Sequence, residues 1–197
     1  MSMKIGDIAQ PAADICLHEA PEMTSIEQPL GLRDPLLLNS LVDTGHDIEG
    51  FPLFAIKVGD ELVFAIKDQS RENVLTVLIG RLITWSDDKE TLQVQRTWTP
   101  EQLRRRGYAE ALYYGLSRLR YRLVSDTLQT EPAFSLWKKL QNKLPSKVNV
   151  FDVRTGTPST EDPKNNPSLV FVLETHFRYP RSNSILIDDI YFTDEDQ

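Results

Sequence analysis

The feature that most constrains this chain is a change of hydrophobic period just after residue 98. Before it, four apolar runs follow one another with short polar breaks, at residues 51–58, 61–67, 74–85 and 91–98. Each is rich in β-branched and aromatic residues, so each reads as a strand. Gly59-Asp60 supplies a two-residue hairpin between the first two, and Ser86-Asp87-Asp88-Lys89 a turn between the last two. The run 91–98 alternates, which places Leu92, Val94 and Arg96 on one face and Gln93, Gln95 and Thr97 on the other. Beyond it the apolar residues return at helical spacing: Ala109, Leu112, Leu116 and Leu119, then Ala133, Leu136, Trp137, Leu140 and Leu144. A short strand at 121–125 separates the two helices, the second of which spans 131–143. Pro145 ends that helix, and residues 147–153 and 168–175 read as two more strands around a polar loop at 155–167. The fold class is therefore α/β, or α+β with a mixed sheet. A central antiparallel meander leads into helix, strand and helix, and then into a C-terminal strand pair. Strand, helix, strand and helix in succession require parallel pairing in the middle.

The first fifty residues are less patterned. Pro11, Pro21, Pro29 and Pro35 divide them, and the spacing predicts one helix over 34–42, with Asp34 as its cap and Pro35 at its first position. Residues 1–50 are read as an N-terminal segment packed on the domain or forming a lid, 51–179 as the domain, and 180–197 as an acidic tail. No apolar run approaches the length of a membrane span. Residues 1–7 carry no apolar stretch of the kind a cleaved signal needs, so a cytoplasmic protein with no membrane partner is expected. The single cysteine, Cys16, cannot form an internal disulfide, and His18, His46 and His176 are not at metal-ligand spacing, so no metal is expected.

The net charge of −7 weighs against general nucleic-acid binding. Its distribution says more. Residues 96–147 hold eleven basic and four acidic side chains, a net of +7, which leaves −14 for the rest of the chain. A basic block inside an acidic protein is either a solvated face or a dock for a phosphate-bearing ligand. Near its centre lies Trp98-Thr99-Pro100-Glu101-Gln102-Leu103-Arg104-Arg105-Arg106-Gly107-Tyr108-Ala109, where a strand ends and a helix is about to begin. Thr99-Pro100-Glu101-Gln102 looks like a helix start, and Gly107 sits where the main helix opens. Amides at a helix start are unpaired and favour an anion. Gly107 lets the main chain approach a ligand closely, Ala109 leaves room, and Arg104, Arg105 and Arg106 add phosphate-matched donors.

Arg104-x-x-Gly107-x-Ala109, placed between a strand and a helix, resembles the acetyl-coenzyme A signature of the GNAT superfamily of N-acetyltransferases. Trp98-Thr99-Pro100 is similar to that family's step out of the sheet, and Ala133, Leu136-Trp137 and Lys139-Leu140 are similar to its next helix. The resemblance covers residues 91–144 and extends to 51. It implies a GNAT-like fold and acetyl-coenzyme A, or another acyl-coenzyme A, as cofactor. The main chain of Thr97, Trp98 and Thr99 would pair with the pantetheine arm. The segment Arg104, Arg105, Arg106, Gly107, Tyr108 and Ala109 would hold the pyrophosphate. An amine would then attack the thioester directly in the gap between strands 91–98 and 121–125. The chain departs from the family pattern at Arg105, which replaces a glycine, in a link from Pro100 to Arg104 that is longer by one residue, and at Trp137. The last stands where a tyrosine often protonates the thiolate, a step that indole cannot perform.

Three side chains are candidates for the chemistry. Asp126 would deprotonate or orient the incoming amine, against a role as a turn residue. Ser125 would donate to the acyl oxygen or the thiolate, against satisfying backbone groups. Tyr113, or its neighbour Tyr114, would replace the missing acid, against plain helix packing. Gln93 and Gln95 would reach a bridging water, against solvent exposure. The acceptor is expected to be an amine on a small molecule or a protein, and a homodimer is allowed for. Two other readings stay open: a non-catalytic binding protein on the same scaffold, and group transfer onto a nucleic-acid base.

Overall fold

In the computed structural model, residues 38–84 and 90–175 are described, the side chain of Asn165 excepted. The start of the helix expected over 34–42, the turn at 86–89, Cys16, His18, His176 and the tail at 180–197 lie outside the described residues.

Runs too apolar to be half-exposed become strands buried on both faces. The elements are β1 (Val42–Ile48), β2 (Phe51–Val58), β3 (Glu61–Lys67), β4 (Val74–Ile83), β5 (Thr91–Trp98), α1 (Tyr108–Leu119), β6 (Arg122–Val124), α2 (Glu131–Lys143), β7 (Val148–Asp152), β8 (Thr157–Ser159) and β9 (Leu169–Leu173). They form one nine-stranded sheet in the order β1-β2-β3-β4-β5-β6-β9-β7-β8. β1 to β5 are an antiparallel meander, and β5 with β6 is the parallel pair that the α1 crossover requires. β9 lies between β6 and β7, antiparallel to both. This is a mixed α/β architecture, as the period change implies.

Both helices cover one face. Leu112, Leu116, Trp137 and Leu140 pack there with Leu53, Phe64, Leu78, Leu92, Val94 and Phe171. The other face of the meander holds Phe54, Ile56, Val63, Val77 and Ile79, with Leu38 and Trp98 against them. No helix among the described residues is long and apolar enough to cross a membrane.

Four expectations are corrected. The helix over 34–42 does not reach Val42: residues 38 and 39 are helical, and Val42 opens β1. β1 was not legible because it is a mostly exposed edge strand of polar residues, with a register shift between Asp43 and His46. The boundary drawn between residues 50 and 51 therefore falls inside the β1–β2 hairpin, and among the described residues the sheet begins at Val42. The helix start at Thr99 is a single 3-10 turn, Glu101–Leu103, after which Arg104 is extended. The polar loop at 155–167 contains the short edge strand β8.

The alternation of β5 is also broken. Ile79 faces Arg96 while Gly80 faces Val94, so Gln95 is an extra residue, a bulge. Past it the faces exchange. Thr97 pairs with Leu78 and joins the helix-covered face, whereas Trp98 pairs with Val77 on the other.

Candidate functional site

β5 and β6 run together only from Thr91 to Gln93, paired with Arg122 to Val124. Beyond Gln93 the strand bulges and continues to Trp98 without β6 beside it. Its end is pinned from the other side by Thr76, whose hydroxyl donates to Trp98 O at 2.9 Å and lies 2.8 Å from Thr99 Oγ1. On the helix-covered face the Thr97 hydroxyl is 2.8 Å from that of Tyr113. The bulge thus brings together two predicted residues, one from β5 and one from α1, that strict alternation would hold apart.

The link to α1 then turns tightly. Leu103 N donates to Pro100 O and Arg104 N to Glu101 O, closing the 3-10 turn. Arg105 has φ 63° and Gly107 has φ 89°, so the main chain turns left-handed twice in the three residues before α1. The amides of residues 105–110 donate to no acceptor among the described residues. A Cβ at Gly107 would meet no atom within 4 Å, so this glycine answers to its backbone angle and not to crowding. Tyr108 packs edge-on against Phe51, with centroids 5.5 Å apart, and so fixes the first turn of α1 to β2.

The three arginines divide. Arg104 folds back, its Nε donating to Thr99 O at 3.2 Å, so it shapes the loop. Arg105 and Arg106 are exposed and have no ion-pair partner among the described residues. Much of the remaining basic block is structural. Arg96 pairs with Glu61, Arg120 with Glu90, Arg122 with Glu174, and Lys138 with Asp162. Lys139 and Lys143, one turn apart on α2, both reach Glu110 in the first turn of α1. Burial pushes the Glu110 carboxyl up, but the two ammonium groups outweigh it and hold it below its usual value.

The chemical candidates are placed as follows. Ser125 is fully buried, and its one proton goes to Asp126 O at 3.0 Å. Its oxygen accepts from the Phe171 amide and from Gln129 Nε2, each at 3.0 Å. This hydroxyl ties the end of β6 to β9, and donating to an acyl oxygen would require it to leave the Asp126 carbonyl. Asp126 is half-buried, and its Oδ1 accepts from the Thr127 amide at 2.7 Å. It does not cap α2, which is capped by Thr130. Tyr113 is buried, with its ring edge-on to Trp137 at 5.2 Å. Burial raises its pKa well above that of an ordinary phenol, the Thr97 contact offsetting part of the rise. Such a phenol stays protonated and donates a hydrogen bond more readily than a proton. Trp137 stacks flat on Phe171 at 5.8 Å and belongs to the core. Gln93 is wholly buried, not exposed.

Sequence reasoning missed Thr76, Glu110 and Gln129. Only Glu110 had a legible signal, because Lys139 and Lys143 share one face of their helix and call for an acid opposite. Just past Asp126 a cavity of about 300 Å³ opens between the loop after β6, the start of α2 and the 3-10 turn Pro163–Asn165. No protein-family model matches this chain, and no curated protein does.

Proposed function

We propose that this protein is an acyl-coenzyme A-dependent N-acyltransferase with a GNAT-like fold. One observation carries the reading: β5 parts from β6 near its bulge and runs directly into a loop whose amides, residues 105–110, have no acceptor among the described residues. A parted strand edge suits the amide-bearing pantetheine arm, and the run of unpaired amides at the start of α1 suits a pyrophosphate. Thr97, Trp98 and Thr99 would line the arm. Arg105, Arg106, Gly107, Tyr108 and Ala109 would hold the phosphates, with Arg104 shaping their loop.

The amine nitrogen attacks the thioester carbonyl carbon, the C–N bond forms, and the C–S bond breaks. The nitrogen loses one proton and the departing sulfur gains one. Asp126 receives or orients the former. Tyr113, held at Thr97, stabilises the sulfur by a hydrogen bond, and water supplies its proton. Asp126→Asn separates the two versions of that residue. A base loses about two orders of magnitude or more in kcat, whereas an orienting group raises the acceptor KM alone.

The reading is tested by calorimetric titration with acetyl-coenzyme A, followed by thiol release across a panel of amines. Binding with amine-dependent release supports it, and absence of coenzyme binding overturns it. Binding without release favours a non-catalytic protein on the same scaffold, a reading supported by the burial of Trp137 against Phe171 and by the commitment of the Ser125 hydroxyl.

A further inference from the structure

The pairing of β4 with β5 stops at Val77 and Trp98. The next two residues in register, Thr76 and Thr99, are joined through their side chains instead. Thr76 is itself anchored in the middle of the sheet by its pairing with Ile66, and it is fully buried between Leu75 and Val77. Valine would fill the same space, so the hydroxyl earns its place only through its partners. Its proton goes to Trp98 O at 2.9 Å, and its oxygen is left to accept from the Thr99 hydroxyl at 2.8 Å. Both partners belong to the end of β5, and Thr76 reaches them from the β4 side, opposite the edge that β6 leaves open. Because the Trp98 carbonyl is turned toward β4, and successive residues of a strand direct their main-chain groups to opposite edges, the N–H and C=O of Thr97 face the open edge.

We propose that Thr76 is a positioning residue for coenzyme binding: its hydroxyl fixes the rotation of the β5 end about the strand axis, so that the Thr97 main-chain groups stand along the gap before a ligand arrives. The proposal rests on the acyltransferase reading, which places the pantetheine arm on that edge. Its physical basis is preorganisation. A strand end that is paired on one edge only, and whose ladder has just stopped, must otherwise be ordered by the ligand, and that ordering is subtracted from affinity. Two further contacts hold the same short segment: Arg104 Nε donates to Thr99 O at 3.2 Å, and the Tyr113 hydroxyl lies 2.8 Å from that of Thr97. Thr76 differs from both in lying outside the cleft. It acts through Trp98 and Thr99 and touches no ligand.

Coenzyme A is titrated calorimetrically into the full chain as wild type, Thr76→Val and Thr76→Ser, each at a temperature where a thermal melt shows it fully folded. Thr76→Val, which keeps the shape and removes the hydroxyl, should bind about tenfold more weakly. Thr76→Ser, which keeps the hydroxyl, should bind as wild type does. Without ligand, the amides of residues 97–99 should exchange with solvent faster in Thr76→Val than in wild type. A Thr76→Val protein that melts lower yet binds coenzyme A with wild-type affinity overturns the proposal, because the hydroxyl then serves stability alone. A Thr76→Ser protein as weak as Thr76→Val also overturns it, by tracing the loss to the missing methyl group. If Thr76→Val does not fold, Thr76→Cys takes its place under the same criteria, since a thiol fills the site and donates only weakly. Equal binding by wild type and variant removes this proposal and leaves the acyltransferase reading standing, whereas a wild type that binds no coenzyme A removes both.

Discussion

Gly107 is where backbone conformation and ligand chemistry meet. Its positive φ costs a non-glycine residue about 1–2 kcal/mol, yet a side chain there would enter open space. Gly107→Ala should therefore lower stability by about 1 kcal/mol and leave the fold intact, while Gly107→Glu should remove coenzyme binding by placing negative charge beside the unpaired amides. Unchanged affinity in the Glu variant places the phosphates elsewhere. A second residue-scale prediction concerns two buried phenols. Burial raises Tyr113, and it pushes Tyr121 up to about 12 despite the nearby Arg120. Above pH 10 the unfolded chain releases these protons while the folded chain keeps them. The stability they contribute is thus complete below pH 10 and is lost as pH rises toward the folded values. For Tyr121 the loss is on the order of 2–3 kcal/mol by pH 12. Denaturant titrations from pH 9 to 12 should show that slope, and it should flatten in Tyr121→Phe. A slope equal to wild type in the variant contradicts the assignment.

Among the elements, β5 is the one whose geometry decides the site. Its alternation was legible, and so was its end at Trp98. The bulge was not, because nothing in Leu92-Gln93-Val94-Gln95-Arg96 marks the position of an extra residue. The cause lies partly in the neighbouring strand. A Cβ at Gly80 would sit 2.7 Å from Gln93 O and 2.8 Å from Leu92 Cγ, so β4 approaches β5 there more closely than a side chain permits. Gly80→Ala should push the strands apart at the bulge and cost about 1–3 kcal/mol. It should also disturb the Thr97–Tyr113 contact on the far side of that bulge, visible as a shift of the Tyr113 ring resonances. A variant as stable as wild type, with those resonances unmoved, would show that the close approach does not hold the bulge. Helix α2 was legible residue for residue from its apolar spacing and from Pro145 after its end. β1 was not, since an exposed edge strand carries no apolar alternation to read.

At the scale of the whole molecule, the order of elements followed from hydrophobic period, and the mixed sheet followed from that order. The insertion of β9 between β6 and β7 did not, because strand order across a sheet depends on contacts distant in sequence. The charge block was legible as a sum but not as a site. Most of its lysines and arginines hold elements together, among them Lys139 and Lys143, which join α2 to Glu110 of α1. The exposed basic charge in the link to α1 reduces to Arg105 and Arg106. Binding that relies on main-chain donors supplemented by two exposed guanidinium groups should therefore weaken only modestly with salt. The most direct measurement is an amide-resolved NMR titration of the full chain with coenzyme A. The acyltransferase reading predicts saturable shifts in the amides of residues 94–99 and 105–110, with the α2–β7 turn unaffected. Amides of 105–110 that stay unmoved at millimolar coenzyme A would contradict it.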